Sequence, residues 1–212
     1  MGNTAIIKPL GKNIGVYLHW NGGLDSVTAF LKYCELKGYR SFDDSYGIAR
    51  FTQVVGNFFG GSCSIGIYTD VAETENDAEY LDNGIYIVKG WKIVNRLGKV
   101  TGREGYDLTE SLKEIDKKQP KEEQLGSFLD ARKVAHEDLK IGDVVFVQNL
   151  NGTYDKWPVV GFGKDEFRNG QNVNGVPYVA MFGNDEKGYD WNINNYILSN
   201  TAMLAPEKQV ME

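Results

Sequence analysis

The sequence predicts an α+β fold, with a strand hairpin and a helix pair over residues 1–135 and a small all-β module over 136–212. Three observations predict it. Two short apolar runs open the chain and give way at Leu24 to an apolar period of three and four. A second stripe of that period follows from Ser45. Beyond His136 only short apolar runs remain, broken by Asn-Gly and Gly-rich turns.

Residues 5–10 and 14–20, separated by Gly11, Lys12 and Asn13, are expected to pair as a hairpin. Strand alternation then puts Tyr17 and His19 on one face and Leu18 and Trp20 on the other. Leu24, Val27, Phe30, Leu31 and Cys34 follow at helical spacing, with Asp25 or Ser26 as N-cap and Gly38 as the stop. A second helix is expected over 45–59, where Ile48, Phe51, Val55 and Phe58 form a stripe ending at Gly60-Gly61. Its opposite side carries Arg50, Gln53 and Asn57.

Strands are expected over 64–71 and 84–94, the second a hairpin bent at Lys89-Gly90. Between them Asp70, Glu73, Glu75, Asp77, Glu79 and Asp82 suit a solvated loop. Leu108, Leu112 and Ile115 mark a short amphipathic helix before Pro120, and Ser127 is expected to cap a helical turn or two through Val134. In the last module, strands fall over 144–147, 157–162, 176–182 and 196–198, and Asn151-Gly152 suits a hairpin turn. Residues 139–147, a polar turn feeding a Val-Val-Phe-Val strand, resemble the opening of SH3-like small barrels.

Bulk properties narrow the classes. The 212 residues can bury a substantial core, and 42% hydrophobic content excludes a disordered chain. A formal net charge of −6 with no basic stripe argues against general nucleic-acid binding. No secretory signal or membrane span is expected from the sequence, so the expected location is cytoplasmic and the two cysteines, Cys34 and Cys63, are expected reduced. With two histidines and no ligand spacing, neither a metal nor a cofactor is expected.

Candidate chemistry centres on the end of the first hairpin. His19, at a strand end beside a glycine turn, has the residue type of a general base, with Asp25, Asp43 or Asp44 as partner carboxylate. The plainer role is a backbone hydrogen bond for His19 while Trp20 fills the core. Asn21, Gly22 and Gly23 lead into a helix N-terminus, which favours anions, although the run lacks the Walker ending and the dinucleotide fingerprint. Arg50, Gln53 and Asn57 fall at i, i+3 and i+7, the solvated side of an amphipathic helix or a ligand-binding face. Cys63 is placed in an apolar run and expected to be buried and inert rather than paired with His19. In the last module Tyr154, Trp157, Phe167, Tyr178, Tyr189 and Trp191 suit either a recognition surface or a barrel core.

Gly-Val-Tyr-Leu-His-Trp-Asn-Gly-Gly over 15–23, Asp25-Ser26-Val27, Ala29-Phe30-Leu31, Lys37-Gly38-Tyr39-Arg40 and Val-Gly-Asn-Phe-Phe-Gly-Gly over 55–61 resemble segments of a group of uncharacterised bacterial and bacteriophage proteins. Gly84-Ile85-Tyr86-Ile87 followed by Gly90-Trp91 fits as well, and the likeness extends over residues 1–129. The resemblance implies no activity and no catalytic residue. It implies a place on mobile elements, and with it antagonism of host defence. The expected function is therefore non-enzymatic binding of a host macromolecule such as a host protein, or of a small anionic, nucleotide-like signal. His19, Trp20, Asn21, Gly22, Arg40, Arg50, Gln53 and Asn57 are the expected binding residues. The alternatives are a hydrolase or transferase using His19 with Asp25 or Asp44, and a scaffold recognising partners through the C-terminal barrel.

Overall fold

A computed structural model describes residues 3–71, 78–98, 106–148, 154–164, 167–168, 171–184, 190–197 and 201–205. The two N-terminal apolar runs pair antiparallel as β1 (Ala5–Pro9) and β2 (Gly15–Leu18), with Ile6 opposite Tyr17 and Ile7 opposite Val16. β3 (Ile65–Tyr68) adds antiparallel to β2, and β4 (Ile85–Lys89) adds parallel to β1. β5 (Lys92–Leu97) closes the expected hairpin on β4, giving the sheet order β3-β2-β1-β4-β5. The central strand β1 is buried along its whole length because both faces of the sheet are covered there.

One face carries Ala5, Ile7, Val16, Leu18 and Tyr86, all fully buried. Above it lie α1 (Leu24–Leu36) and α2 (Ser45–Phe58), the latter bringing Gly56 against Ile65. Phe30 locks the two helices by edge-on contacts with Phe51 and Phe58, and Phe42 packs on Phe51. Each such ring is worth about 1.5–3 kcal/mol in burial. The N-cap of α1 is Gly23, with no side-chain hydrogen bond, and not Asp25 or Ser26 as expected. Both residues instead occupy the first turn, where the Asp25 charge complements the helix dipole. Asp44 caps α2 by accepting from the Tyr46 N–H.

The short amphipathic helix is α3 (Leu108–Lys117), capped by Asp107 and buried through Leu112 and Ile115. The opposite face of the sheet gathers Ile6 and Ile85 with Val71, Ala78, Tyr17, Leu81 and Leu97. Part of the expected acidic loop, residues 72–77 with Glu73, Glu75 and Asp77, lies outside the described residues.

The chain forms two compact units, Met1–Gln124 and Leu125–Glu212. The second therefore starts ahead of Ala135, because residues just before it enter its sheet. After a 3-10 turn at Gly126–Asp130, the chain extends into β6 (Arg132–Ala135), where helical turns through Val134 were expected. The competing partner is β13 (Thr201–Leu204), distant in sequence, whose pairing with β6 overrides local propensity.

β7 (Val144–Gln148), β8 (Tyr154–Phe162), β11 (Pro177–Asn184) and β12 (Asp190–Tyr196) complete a six-stranded sheet of order β12-β11-β8-β7-β13-β6. β9 (Phe167–Arg168) and β10 (Gln171–Asn172) pair separately. Val134, Leu139, Val145, Val159, Val179 and Ala202 form its core. Among the described residues no strand links β12 to β6, so neither sheet is closed. The Asn151-Gly152 turn lies outside the described residues.

Candidate functional site

Three consecutive features aim side chains outward where β2 ends. Asn21 takes a left-handed backbone, with φ of 54°, which turns the chain sharply after Trp20. Gly22 then passes so close to the N-terminal strand that an added Cβ would sit 2.5 Å from the Asn3 carbonyl oxygen and 2.8 Å from the Ala5 nitrogen. The Gly22 N–H donates to the Asn3 carbonyl at 2.7 Å, and its own carbonyl accepts from the Tyr86 hydroxyl at 2.9 Å. These bonds fix the turn. They also consume the Gly22 N–H, so it is not offered to an anion beside the α1 N-terminus.

The outward result is a continuous run of rings. Trp20 packs edge-on against His19 with centroids 4.8 Å apart, and Tyr17 lies 5.3 Å from Tyr68 of β3. Between the two pairs, the Tyr17 hydroxyl lies 3.0 Å from Nδ1 of His19, bridging residues two apart on one strand face. Gly66, opposite Tyr17, has no side chain and leaves room for the Tyr17 and Tyr68 rings to meet. Trp20 is 43% exposed and Tyr68 48%. Trp20 therefore does not fill the core, as the plainer reading of this segment supposes.

Asp82 supplies the nearby charge. Its Oδ2 accepts from both the backbone N–H and the hydroxyl of Thr4 at 3.0 Å. Those two bonds hold its carboxyl below the ordinary carboxylate value, with a smaller contribution from attraction to His19. Burial pushes the Tyr17 phenol up, and the nearby Tyr68 and Asp82 push it the same way, so it stays protonated.

The other expected site residues lie in separate local arrangements. Arg40 pairs with Asp44 at 2.7 Å and lies over the Tyr46 ring. Arg50 donates to Gln53 at 2.7 Å and covers the Tyr39 ring, while Asn57 donates to the buried Gln119. Asp43 accepts from Ser41 and from the Gly90 N–H. No hydrogen bond, ion pair or ring contact joins His19, Trp20 or Asn21 to Arg40, Arg50, Gln53 or Asn57, or joins His19 to Asp25, Asp43 or Asp44. Asn21 contacts Ser26 instead and borders a cleft of about 40 Å³ with Ser111 and Glu114.

Cys63 is exposed, which corrects its placement in a buried run, and Cys34 is buried; both are free. Burial pushes the Cys34 thiol up beyond titration near neutrality. Among the described residues no group of three or more His, Cys, Asp or Glu converges on a metal position. No described helix is long and apolar enough to cross a membrane.

In the second unit, Tyr154 stacks on Phe128 at 3.7 Å and meets Phe146 edge-on, and Trp157 packs against the core. The Tyr178 ring covers Gly161. These aromatics fill space inside the unit. Tyr189 and the side chains of Phe167 and Trp191 lie outside the described residues.

Sequence reasoning missed Tyr68, Thr4 and Asp82. Thr4 and Asp82 are 78 positions apart and meet only through the parallel pairing of β1 with β4. Tyr68 carried a readable signal, since it lies two residues after Gly66 on the same strand face. No protein-family model, no curated protein and no solved structure matches this chain.

Proposed function

We propose that this chain is a non-enzymatic binding protein of a bacteriophage or other mobile element, which antagonises host defence by gripping a host protein through the Trp20–His19–Tyr17–Tyr68 surface. One observation carries the reading: four rings in contact at a strand end, two of them about half exposed although large and apolar. Rigid aromatic anchors beside an exposed polar rim are the composition of interface hot spots. The biological setting rests on the resemblance read from the sequence of residues 15–23 and 55–61 to uncharacterised bacterial and bacteriophage proteins. A cytoplasmic location agrees with two free thiols. The second unit is read as an SH3-like module, supported by its short antiparallel strands around Val145, Val159 and Val179.

The test compares full-length wild type with a Trp20→Ala, Tyr68→Ala double variant, both immobilised and offered bacterial host lysate. A host protein retained by wild type and reduced about tenfold or more by the variant, at equal thermal midpoints, supports the reading. Equal retention by both proteins contradicts it. A nucleotide carried through native mass spectrometry, with no retained protein, would put sequestration of a small anionic signal in its place.

A further inference from the structure

Both edges of the first sheet lack a described neighbour, and the two are built differently. The β5 edge is broken up: its pairing with β4 shifts register between Ile87 and Val88, the Arg96 N–H is bonded to the Asn95 side chain, and Lys92 and Arg96 carry charge. Bulges and charges of this kind keep an edge from pairing. The β3 edge has neither. Its register with β2 runs without a shift from Ile65 opposite Leu18 to Tyr68 opposite Gly15, and residues 62–69 hold no charged side chain and no proline.

One bond fixes which backbone groups face outward. The His19 N–H donates to the Ser64 carbonyl at 2.8 Å, so Ser64, Gly66 and Tyr68 turn their backbone groups toward β2, and Ile65 and Ile67 turn theirs away. Among the described residues, the N–H and C=O of Ile65 and Ile67 have no hydrogen-bond partner. The side chains alternate as well. Ile65 and Ile67, opposite Leu18 and Val16, lie on the helix-covered face, where Gly56 of α2 rests on Ile65 and Ile67 is left 51% exposed. Gly66 and Tyr68 lie on the other face.

We infer that β3 pairs antiparallel with β3 of a second copy of this chain, about a two-fold axis at Gly66. That register sets Ile65 opposite the partner's Ile67 and Ile67 opposite the partner's Ile65, so both N–H and both C=O groups that point outward are bonded on each strand. Isoleucines meet on the helix-covered face. On the other face the two glycines meet at the axis, a non-hydrogen-bonded pair with Cα atoms about 4.5 Å apart, which leaves room for the Tyr68 rings. Any extended strand could use the backbone groups, but isoleucine against isoleucine on one face and glycine against glycine on the other is the match that a second copy supplies. Charge agrees: a net −6 per chain opposes association, and this neutral edge lets two copies meet without like charges in contact. The contact is small beside the roughly 1,000 Å² that a lasting interface clears, so the dimer is weak and concentration-dependent. It does not rest on capture of a host protein.

Sedimentation of the full chain from about 1 µM to about 1 mM is expected to show monomer passing to dimer. Over that range, hydrogen exchange read residue by residue should slow at the amides of Ile65 and Ile67, while those of Gly66 and Tyr68, which face β2, stay slow throughout. Ile67→Pro removes an outward donor and no bond to β2, and should weaken the dimer about tenfold or more; Ile67→Lys should do the same by placing like charges at the contact. Ile67→Val keeps the donor and an apolar side chain and should dimerise as wild type does. If Ile67→Pro fails to fold, Ile67→Lys and the wild-type exchange pattern decide. A monomer at every concentration overturns the proposal and leaves host-protein capture to its own test. A dimer indifferent to these two substitutions, or one that does not slow Ile65 and Ile67, overturns it as well.

Discussion

Gly22 shows how a single residue sets the geometry of the proposed site. Its missing Cβ admits the Asn3 carbonyl, and the two backbone groups in its way cannot move aside as a flexible side chain would. Gly22→Ala is expected to cost about 1–3 kcal/mol in urea unfolding, the range for forced overpacking. Trp20→Ala, at a largely exposed ring, should cost under about 1 kcal/mol while removing partner binding.

Two carboxylates add a pH dependence. Burial pushes the Asp43 carboxyl up, but the Ser41 hydroxyl, the Gly90 N–H and nearby Lys89 outweigh it, and its folded value is depressed; Asp82 is depressed by Thr4. A depressed folded value means stability that is present above the ordinary 3.8 and is lost as the pH falls below it. Thermal midpoints should therefore drop on acidification through that range. Asp43→Asn should make the drop shallower, and an unchanged slope would contradict the role of these bonds.

At the scale of elements, α3 is held by polar contacts as much as by its apolar stripe. The Tyr33 hydroxyl donates to buried Asp116 at 2.7 Å, and Gln119 donates to the Val54 and Ile115 carbonyls. Tyr33→Phe keeps the ring and removes a donor from a buried carboxylate, an expected loss of about 1–2 kcal/mol in urea unfolding. The helices were legible because each carries its own apolar stripe: Phe30 and Cys34, Phe51 and Val55, and Leu108 and Leu112 repeat at helical spacing, whereas the caps Gly23, Asp44 and Asp107 were not read from it. The strand β6 was not legible, since only distant β13 explains why Val134 leaves a helical turn. The same holds for the site. Tyr17 and His19 announce a shared face by alternation, whereas the Asp82 charge comes from across the sheet.

For the whole molecule, three places are distinct: the aromatic surface, the groove of about 370 Å³ lined by Leu24, Leu31, Trp91 and Ile93, and the second unit. Removing residues 125–212 severs no strand pairing of the first sheet. If the aromatic surface is the gripping site, that truncation should retain the captured partner, and loss of capture by a folded truncation would assign recognition to the second unit. Hydrogen exchange of the full chain, with and without the captured host protein, separates all three places at once. Protection concentrated at residues 17–20 and 65–68 is the expected result, and protection confined to residues 92–97 or to 125–212 would contradict a role for the Trp20–Tyr68 surface.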